Sequence, residues 1–375
     1  MSASDNATVV VNLSAISHNI ALLAQHAAAS QVMAVVKADG YGHGLVPSAQ
    51  AARAGGATWL GVVSIDEAAA LRASGDTGSI FAWRTSAQSD FAAAVRLDVA
   101  VSAAAPEALQ AIAAAATASG RRASVHLALD SGLGREGAPL GEQWDVLLAA
   151  AATLDPALVD VCGVWSHLAF ADSPHHPTVD AQRSAFIAGV EQAQSVGLDI
   201  RLRHLANSAA TLTRPDLHFD IVRPGLAVYG ISPMPDGGTR FGLRPAMTFR
   251  APVFAVKQLP AGHGIGYGHT YHTSQDTTVV VAAAGYAEGV PRTAGNSAPV
   301  QVNGGRFTIS GRVSMDQVSI DVGAHAVAVG DTVTFFGPGD SGEPTADEFA
   351  RACGTISYEV ITRLGARATR VYIGG

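Results

Sequence analysis

The chain has 375 residues, 48% of them hydrophobic and 15% charged, and so reads as a globular protein with enough apolar material for two sizeable cores. Its net charge of −7 comes without a basic cluster, which argues against nucleic acid, and apolar runs such as Ala111 to Ala118 fall well short of the ~20 strongly apolar residues of a membrane span. The opening MSASDNATVVVNLSA contains Asp5, no early Lys or Arg and no continuous apolar segment, so no secretory signal is read and a cytoplasmic location is expected, with Cys162 and Cys353 as reduced core residues rather than disulfide partners or zinc ligands.

The first predicted element is a strand at Thr8 to Asn12, followed by a helix with Ser14 as candidate N-cap. Residues 1–13 are expected to pair with the second domain. From there to about Met234, β-branched runs alternate with Ala-rich stretches of helical period. Eight strand candidates follow in order: Val32 to Val36, Trp59 to Val63, Ser79 to Trp83, Asp98 to Val101, Ser124 to Leu129, Val159 to Trp165, Arg201 to Leu205 and Asp220 to Val222. Each precedes a helix-competent segment such as Asp66 to Ala73 or Gln143 to Leu154, which predicts an α/β fold, a (β/α)8 TIM-type barrel over residues 1–238. Past Pro235-Asp236-Gly237-Gly238 the texture turns to Val- and Thr-rich strands with glycine turns (Thr277 to Ala284, Arg306 to Ser310, Asp331 to Phe336), ending in helix at about Pro344 to Ala352 and Tyr358 to Leu364. Residues 239–375 are therefore expected to form a mostly-β C-terminal domain.

In such barrels chemistry collects where strands end. The first strand runs into Lys37 within VVKADGYGHG, an amine against an apolar wall, where desolvation would lower its pKa as condensation with an aldehyde cofactor requires. A snorkelling surface lysine is the plainer alternative. The sixth strand runs into Ser166-His167, the seventh into Asn207-Ser208 and the eighth into Arg223-Pro224-Gly225; the last two loops are the usual phosphate site of the architecture. Singly, His167 reads equally as a core histidine, Ser208 as a helix cap and Arg223 as half of an ion pair. Their succession at strand ends carries the weight.

VVKADGYGHG, HLANSAATL (His204 to Leu212), VRPGLAVYGISP (Val222 to Pro233), GIGYGHTY (Gly264 to Tyr271), GYAEGVPR (Gly285 to Arg292), GRVSMDQ (Gly311 to Gln317) and GTISYEV (Gly354 to Val360) together resemble the motifs of the alanine racemase family, in order over nearly the whole chain. The resemblance implies pyridoxal 5'-phosphate as cofactor, a small amino acid as substrate, and a supply of D-alanine for peptidoglycan. Racemisation removes the α-proton from one face of a planar carbanion and returns one on the other, so two bases are needed. The resemblance assigns these roles to Lys37 and Tyr267. Without it, Tyr267 would read as a half-buried tyrosine in a glycine-rich hairpin. His167 and Arg223 are implied to favour its phenolate, and Arg223 to face the pyridine nitrogen. Tyr41, Asn207, Ser208, Gly225, Leu226 and Tyr358 are candidate cofactor ligands, the phosphate falling to all but Asn207. Arg135 would lie near the cofactor and the substrate carboxylate, and the Met315 N–H would meet that carboxylate. Tyr267, Met315 and Asp316 would reach the barrel mouth from a partner in a head-to-tail homodimer, and Asp172, Tyr286, Arg292, Arg312 and Ile356 match an entrance corridor.

This chain departs from the family pattern at three places. Ala128 stands where the family often has a carbamylated lysine, and the only lysine besides Lys37 is Lys257, in the predicted strand Val253 to Leu259. A bound anion or water cluster beside Ala128 is therefore expected to position Arg135. Glu288 and Val290 replace the usual aspartate and aromatic residue, which leaves the corridor and the substrate open, serine or another small amino acid being an alternative. Gly132 to Gly137 satisfies a dinucleotide fingerprint, but no helix is predicted until after Pro139. His175-His176 lacks the spacing of a helical metal pair, and no metal is expected. A basic-amino-acid decarboxylase shares the architecture but lacks the GIGYGHTY tyrosine pattern. A non-catalytic cofactor-binding protein remains the other alternative.

Overall fold

The computed structural model describes residues 6–27, 29–235 and 240–375. The strands are β1 Thr8–Asn12, β2 Gln31–Val35, β3 Trp59–Val62, β4 Ser79–Ala82, β5 Ala100–Ala103, β6 Ala123–Asp130, the short β7 Ala138–Pro139, β8 Val159–Trp165, β9 Leu202–His204 and β10 Ile221–Val222. β2 to β6 and β8 to β10 are the eight barrel strands, laterally ordered β10-β2-β3-β4-β5-β6-β8-β9 with every neighbour parallel. They are short and buried on both faces, because helices cover the outside while side chains fill the inside. Between β9 and β10 the nearly closed ring is joined by an ion pair and by backbone bonds, one of them from Arg223 N–H to Ala206 O at 2.8 Å. Arg203 N–H and Nε–H both donate to Asp220 Oδ2, at 2.8 and 2.7 Å, and Asp220 N–H returns a bond to Arg203 O at 3.1 Å.

Two hydrophobic groupings follow from this geometry. The larger lies between strands and helices and runs on into the second domain. The smaller is the barrel interior, where Met33, Phe81, Ala100, Ala128, Trp165 and Ile221 pack with Trp59, Trp83 and Leu202. The fourth barrel strand, expected from Asp98, starts two residues later, at Ala100, because Asp98 has φ 53° in the turn after the helix Phe91–Arg96.

The second domain is built on β11 Met247–Leu259, β12 Gly264–Ile265, β13 Tyr271–His272, β14 Thr277–Ala282, β15 Pro299–Val302, β16 Gly305–Thr308, β17 Val318–Gly323, β18 Thr332–Phe336 and β19 Thr369–Ile373. Its main sheet has the order β16-β15-β18-β11-β1-β19. The first strand of the chain thus lies in the last domain, antiparallel to β11 and parallel to β19, with Val9 and Val11 turned into the core. The helix that follows, Leu13–His26, is capped by Asn12 and not by the expected Ser14: Asn12 Oδ1 accepts from Ala15 N–H at 3.3 Å, and the Ser14 hydroxyl only braces that cap at 2.7 Å. The strand-to-helix reversal begins two residues earlier than the hydroxyl suggested. The expected domain boundary at 238/239 lies outside the described residues.

Candidate active site

Lys37 sits at the exit of β2, and the four residues after it are all left-handed: Ala38 φ 53°, Asp39 φ 55°, Gly40 φ 61° and Tyr41 φ 53°. Three carry side chains that disfavour this region by roughly 1–2 kcal/mol each, so the turn persists because its surroundings impose it. Ala38 N–H donates to Glu67 Oε1 at 2.8 Å, Leu45 N–H to Asp39 Oδ1 at 2.8 Å, and Arg370 of β19 donates Nε–H to Gly42 O at 2.9 Å. The reversal carries Tyr41 inward, where its ring stacks on Tyr229 at 5.0 Å and lies 6.2 Å from Tyr358.

The resulting cavity, of about 490 Å³, is lined at one end by Lys37, Trp83, Arg135, Trp165, His167 and Arg223, and at the other by Tyr41, Asn207, Ser208, Gly225, Leu226 and Tyr358. At the first end, burial and then Arg135 lower the pKa of Lys37, whose Nζ lies 5.4 Å from the Trp83 ring centroid. Arg223 is buried without a carboxylate partner among the described residues. It donates from Nη2 to Ser166 O at 2.6 Å and to His167 Nδ1 at 3.5 Å, and from Nη1 to His204 Nδ1 at 3.3 Å. Burial brings it down to about 9, so it remains a cation at neutral pH. His167 is pushed down to about 3 by burial and then Arg223, and is neutral. At the second end, the Gly225 and Ala227 amides donate to Ser208 Oγ at 2.8 and 3.2 Å, tying the loops after β9 and β10 together. A Cβ on Gly225 would lie 2.4 Å from Tyr41 Oη. Burial raises Tyr41 well above the ordinary phenol and Tyr358 up to about 12, so both keep their protons as donors for an anion. Asn207 lines the cavity while its carbonyl caps the helix Ser208–Thr213.

A second cavity of about 400 Å³ adjoins the first through Asn207, Leu226, Ile356 and Tyr358, and it brings in Asp172. Of the corridor residues expected, Asp172 and Ile356 meet here. Tyr286, Arg292 and Arg312 do not. They stand with Tyr267, Met315 and Asp316 on the second domain, where the Tyr286 and Ala287 amides donate to Ser314 O and Met315 O at 3.1 and 2.9 Å. Tyr267 is 70% exposed there and does not line the Lys37 cavity. Asp316 Oδ1 is held by Arg367 Nη1 at 2.6 Å. Val290 is core, and buried Glu288 accepts the Gly285 amide at 2.7 Å and pairs with Arg367 at 2.8 Å, so both departures shape the GYAEG turn from within.

Beside the segment that carries Ala128, Arg135 meets a carboxylate of the chain itself: Glu136 Oε1 lies 3.2 Å from Arg135 Nε in a half-exposed pair. The glycines of that segment form a turn in which Asp130 Oδ1 accepts from Gly132, Leu133 and Gly134, and the next helix starts only at Glu142. His176 is a cap, accepting Thr178 N–H at 3.2 Å with its ring 4.0 Å from Phe170.

The family model described as "Alanine racemase, N-terminal domain" matches residues 11–233, and "Alanine racemase, C-terminal domain" matches residues 246–372. This chain belongs to the alanine racemase family. It is 52% identical over 369 residues to an alanine racemase of Salinispora arenicola, covering 98% of each chain, and 50% identical over 367 residues to one of Frankia casuarinae, covering 97% and 95%. Its fold superposes on the alanine racemase of Streptomyces coelicolor with a TM-score of 0.96 at 45% identity, over 100% of this chain and 99% of that one. For this alanine racemase family member, sequence reasoning missed Trp83, Trp165, Glu67 and Glu136 at the site. Trp83 closes a strand candidate just as Lys37 does, so the same strand-end rule would have found it. Glu67 carried no signal, since its partners are brought to it by the fold.

Proposed function

We propose that the chain interconverts L- and D-alanine, with Lys37 and Tyr267 as the two bases and pyridoxal 5'-phosphate as cofactor. The observation that carries this reading is the lowered pKa of Lys37 in a cavity whose far end is a cradle of Tyr41, Ser208, Gly225, Leu226 and Tyr358. Its volume, about 490 Å³, falls within the roughly 300–1,000 Å³ usual for small-molecule sites. The cradle fits a phosphate: two protonated phenols, a hydroxyl, and a glycine at the one position where a Cβ would strike Tyr41. Bound there, the cofactor would supply an electron sink that acidifies the substrate α-hydrogen.

The residues of the chain then divide the work. Lys37, deprotonated more readily than an ordinary lysine, takes or returns the proton on one face. Tyr267 of a second copy serves the other face, and its exposure in one chain is what a contribution across a head-to-tail homodimer requires. His167 accepts from Arg223 on Nδ1, so its own proton stands on Nε2, free to donate to the Tyr267 oxygen and favour phenolate. Arg223, a cation held by a carbonyl and two imidazoles, would stand at the pyridine nitrogen of a bound cofactor and oppose its protonation, weakening the electron sink and favouring racemisation over transamination. Arg135, held by Glu136, and the Met315 amide receive the substrate carboxylate, with Asp316 beside them. Asn207 holds the start of its helix against the cofactor. We assign residues 1–238 to the barrel domain and 239–375 to the second, with β1 crossing between them. No helix among the described residues is long and apolar enough to cross a membrane. The enzyme is placed in the cytoplasm, supplying D-alanine for peptidoglycan.

The test is the visible spectrum of the bound cofactor together with loss of circular dichroism of L-alanine over time. Lys37→Ala is expected to lose the lysine-bound cofactor band, and Tyr267→Phe to keep the band but little racemisation. Wild-type protein that binds the cofactor and leaves alanine, serine and other small amino acids optically active would overturn the reading.

A further inference from the structure

The barrel interior holds two imidazoles beyond His167 of the cavity. His126 on β6 and His204 at the end of β9 are fully buried. His126 Nδ1 and His204 Nε2 are 2.7 Å apart, and His204 Nδ1 meets Arg223 Nη1 at 3.3 Å. The His126 ring stacks on Phe81 at 4.7 Å, with Trp59 at 5.7 Å, and its Nε2 has no hydrogen-bond partner among the described residues. Gly163 on β8 makes the room, since a Cβ there would stand 2.7 Å from His126 Cγ.

A guanidinium can only donate, so His204 Nδ1 must carry a lone pair. The His204 proton then lies on Nε2 and is donated to His126 Nδ1, which leaves the His126 proton on the unpartnered Nε2. Each tautomer is dictated by the one before it. A second proton on either ring would set donor against donor, and burial keeps both neutral, pushing His126 down to about 3 and His204 well below its ordinary value. A carboxylate in place of His204 would orient the guanidinium but cancel its charge. A neutral imidazole orients it and leaves the charge whole.

We propose that His126 is a positioning residue for Arg223: by accepting the Nε2 proton of His204 it stabilises the one tautomer whose Nδ1 lone pair can hold the guanidinium, so that a neutral acceptor chain aims the cation at the cavity. The inference rests on the role given to Arg223 above. It accounts for a partly unsatisfied polar pair in a barrel core that apolar side chains could fill.

The test uses holoenzyme labelled with ¹⁵N-histidine, in which long-range ¹H–¹⁵N correlations report each tautomer, His204 being assigned with His204→Gln. Wild type is expected to show His204 protonated on Nε2 only. His126→Phe keeps a ring but removes the acceptor, and should lower kcat about tenfold with KM changed less than about twofold, while raising abortive transamination relative to racemisation. His126→Asn, whose carbonyl can stand where Nδ1 stood, should restore most of kcat and the wild-type His204 signal. Protonation of His204 on Nδ1 in wild type overturns the proposal, and needs no variant beyond the His204→Gln used for assignment. So does a folded His126→Phe with kcat within about twofold of wild type and an unchanged partition between the two reactions. The tautomers are read without turnover, so a protein that failed to racemise alanine would sink the functional reading separately.

Discussion

Glu67 joins the ends of two barrel strands: Oε1 accepts the Ala38 amide and Oε2 the Val63 amide, both at 2.8 Å. One carboxylate thereby pins the first residue of the left-handed turn beside Lys37 to the strand next door. Its charge also raises the pKa of Lys37 against the lowering by burial and Arg135. Glu67→Ala should cost about 1 kcal/mol, since the Ala38 bond is exposed and only the Val63 bond is part-buried, and should weaken cofactor retention on dialysis. Glu67→Gln has one acceptor oxygen for two donors and should fall between. Equal melting temperatures for all three proteins would show that the bridge does not hold the turn.

Gly225 is required by Tyr41. A methyl group at this position would lie 2.4 Å from the Tyr41 hydroxyl, and the ring cannot swing away freely because it is stacked on Tyr229. Overpacking of this kind costs about 1–3 kcal/mol, so Gly225→Ala should weaken pyridoxal phosphate binding by roughly ten- to a hundredfold in a fluorescence titration. Adding Tyr41→Phe removes the clashing oxygen and should recover part of that loss. No recovery in the double variant would place the defect elsewhere.

Acid should destabilise the fold from an unusually high pH. His126 and His167 are pushed down to about 3 and His43 to about 4, all mainly by burial, from an ordinary value near 6.5. A base whose folded pKa is depressed binds fewer protons folded than unfolded, so stability is complete above the unfolded value and falls as pH drops through about 6.5 towards the folded one. Each histidine contributes at most about 1.4 kcal/mol per pH unit in that window. Urea midpoints should therefore be level between about pH 7 and 8 and decline steadily from about 6.5 to 4.5. A midpoint unchanged down to pH 5 would mean that these rings take up protons in the native state.

Shared sites make a quantitative demand on mixed dimers. Lys37→Ala and Tyr267→Phe are each expected to be nearly inactive alone. Unfolded together and refolded at equal ratio, half of the dimers carry one chain of each kind, and half of the sites in those pair an intact Lys37 with an intact Tyr267. Activity should return to about a quarter of wild type. A mixture no more active than its parts would place both bases in the same chain.

Much of the candidate site could be read along the chain, for a local reason. Strand period and the residue that ends a strand are short-range properties, so Lys37, His167, Ser208 and Arg223 could be placed at one barrel mouth from their positions alone. The same local signals misplaced the first helix cap, because Ser14 has the right hydroxyl but Asn12 stands where the strand turns. Tyr267 was legible only through the motif around it, and in one chain it stays outside the cavity.

Residue order along the chain already carries the succession of strands and helices, the change to a β-rich domain, and the kinds of side chain delivered to the strand ends. Three relations came instead from the folded arrangement: Glu136 stands against Arg135, Glu67 braces the Lys37 turn, and His126 and His204 meet nitrogen to nitrogen. Those relations depend on which groups are packed within 3.5 Å of one another across distant strands. Residue type sets what a side chain is able to donate or accept, and burial beside a particular neighbour selects which of those it does.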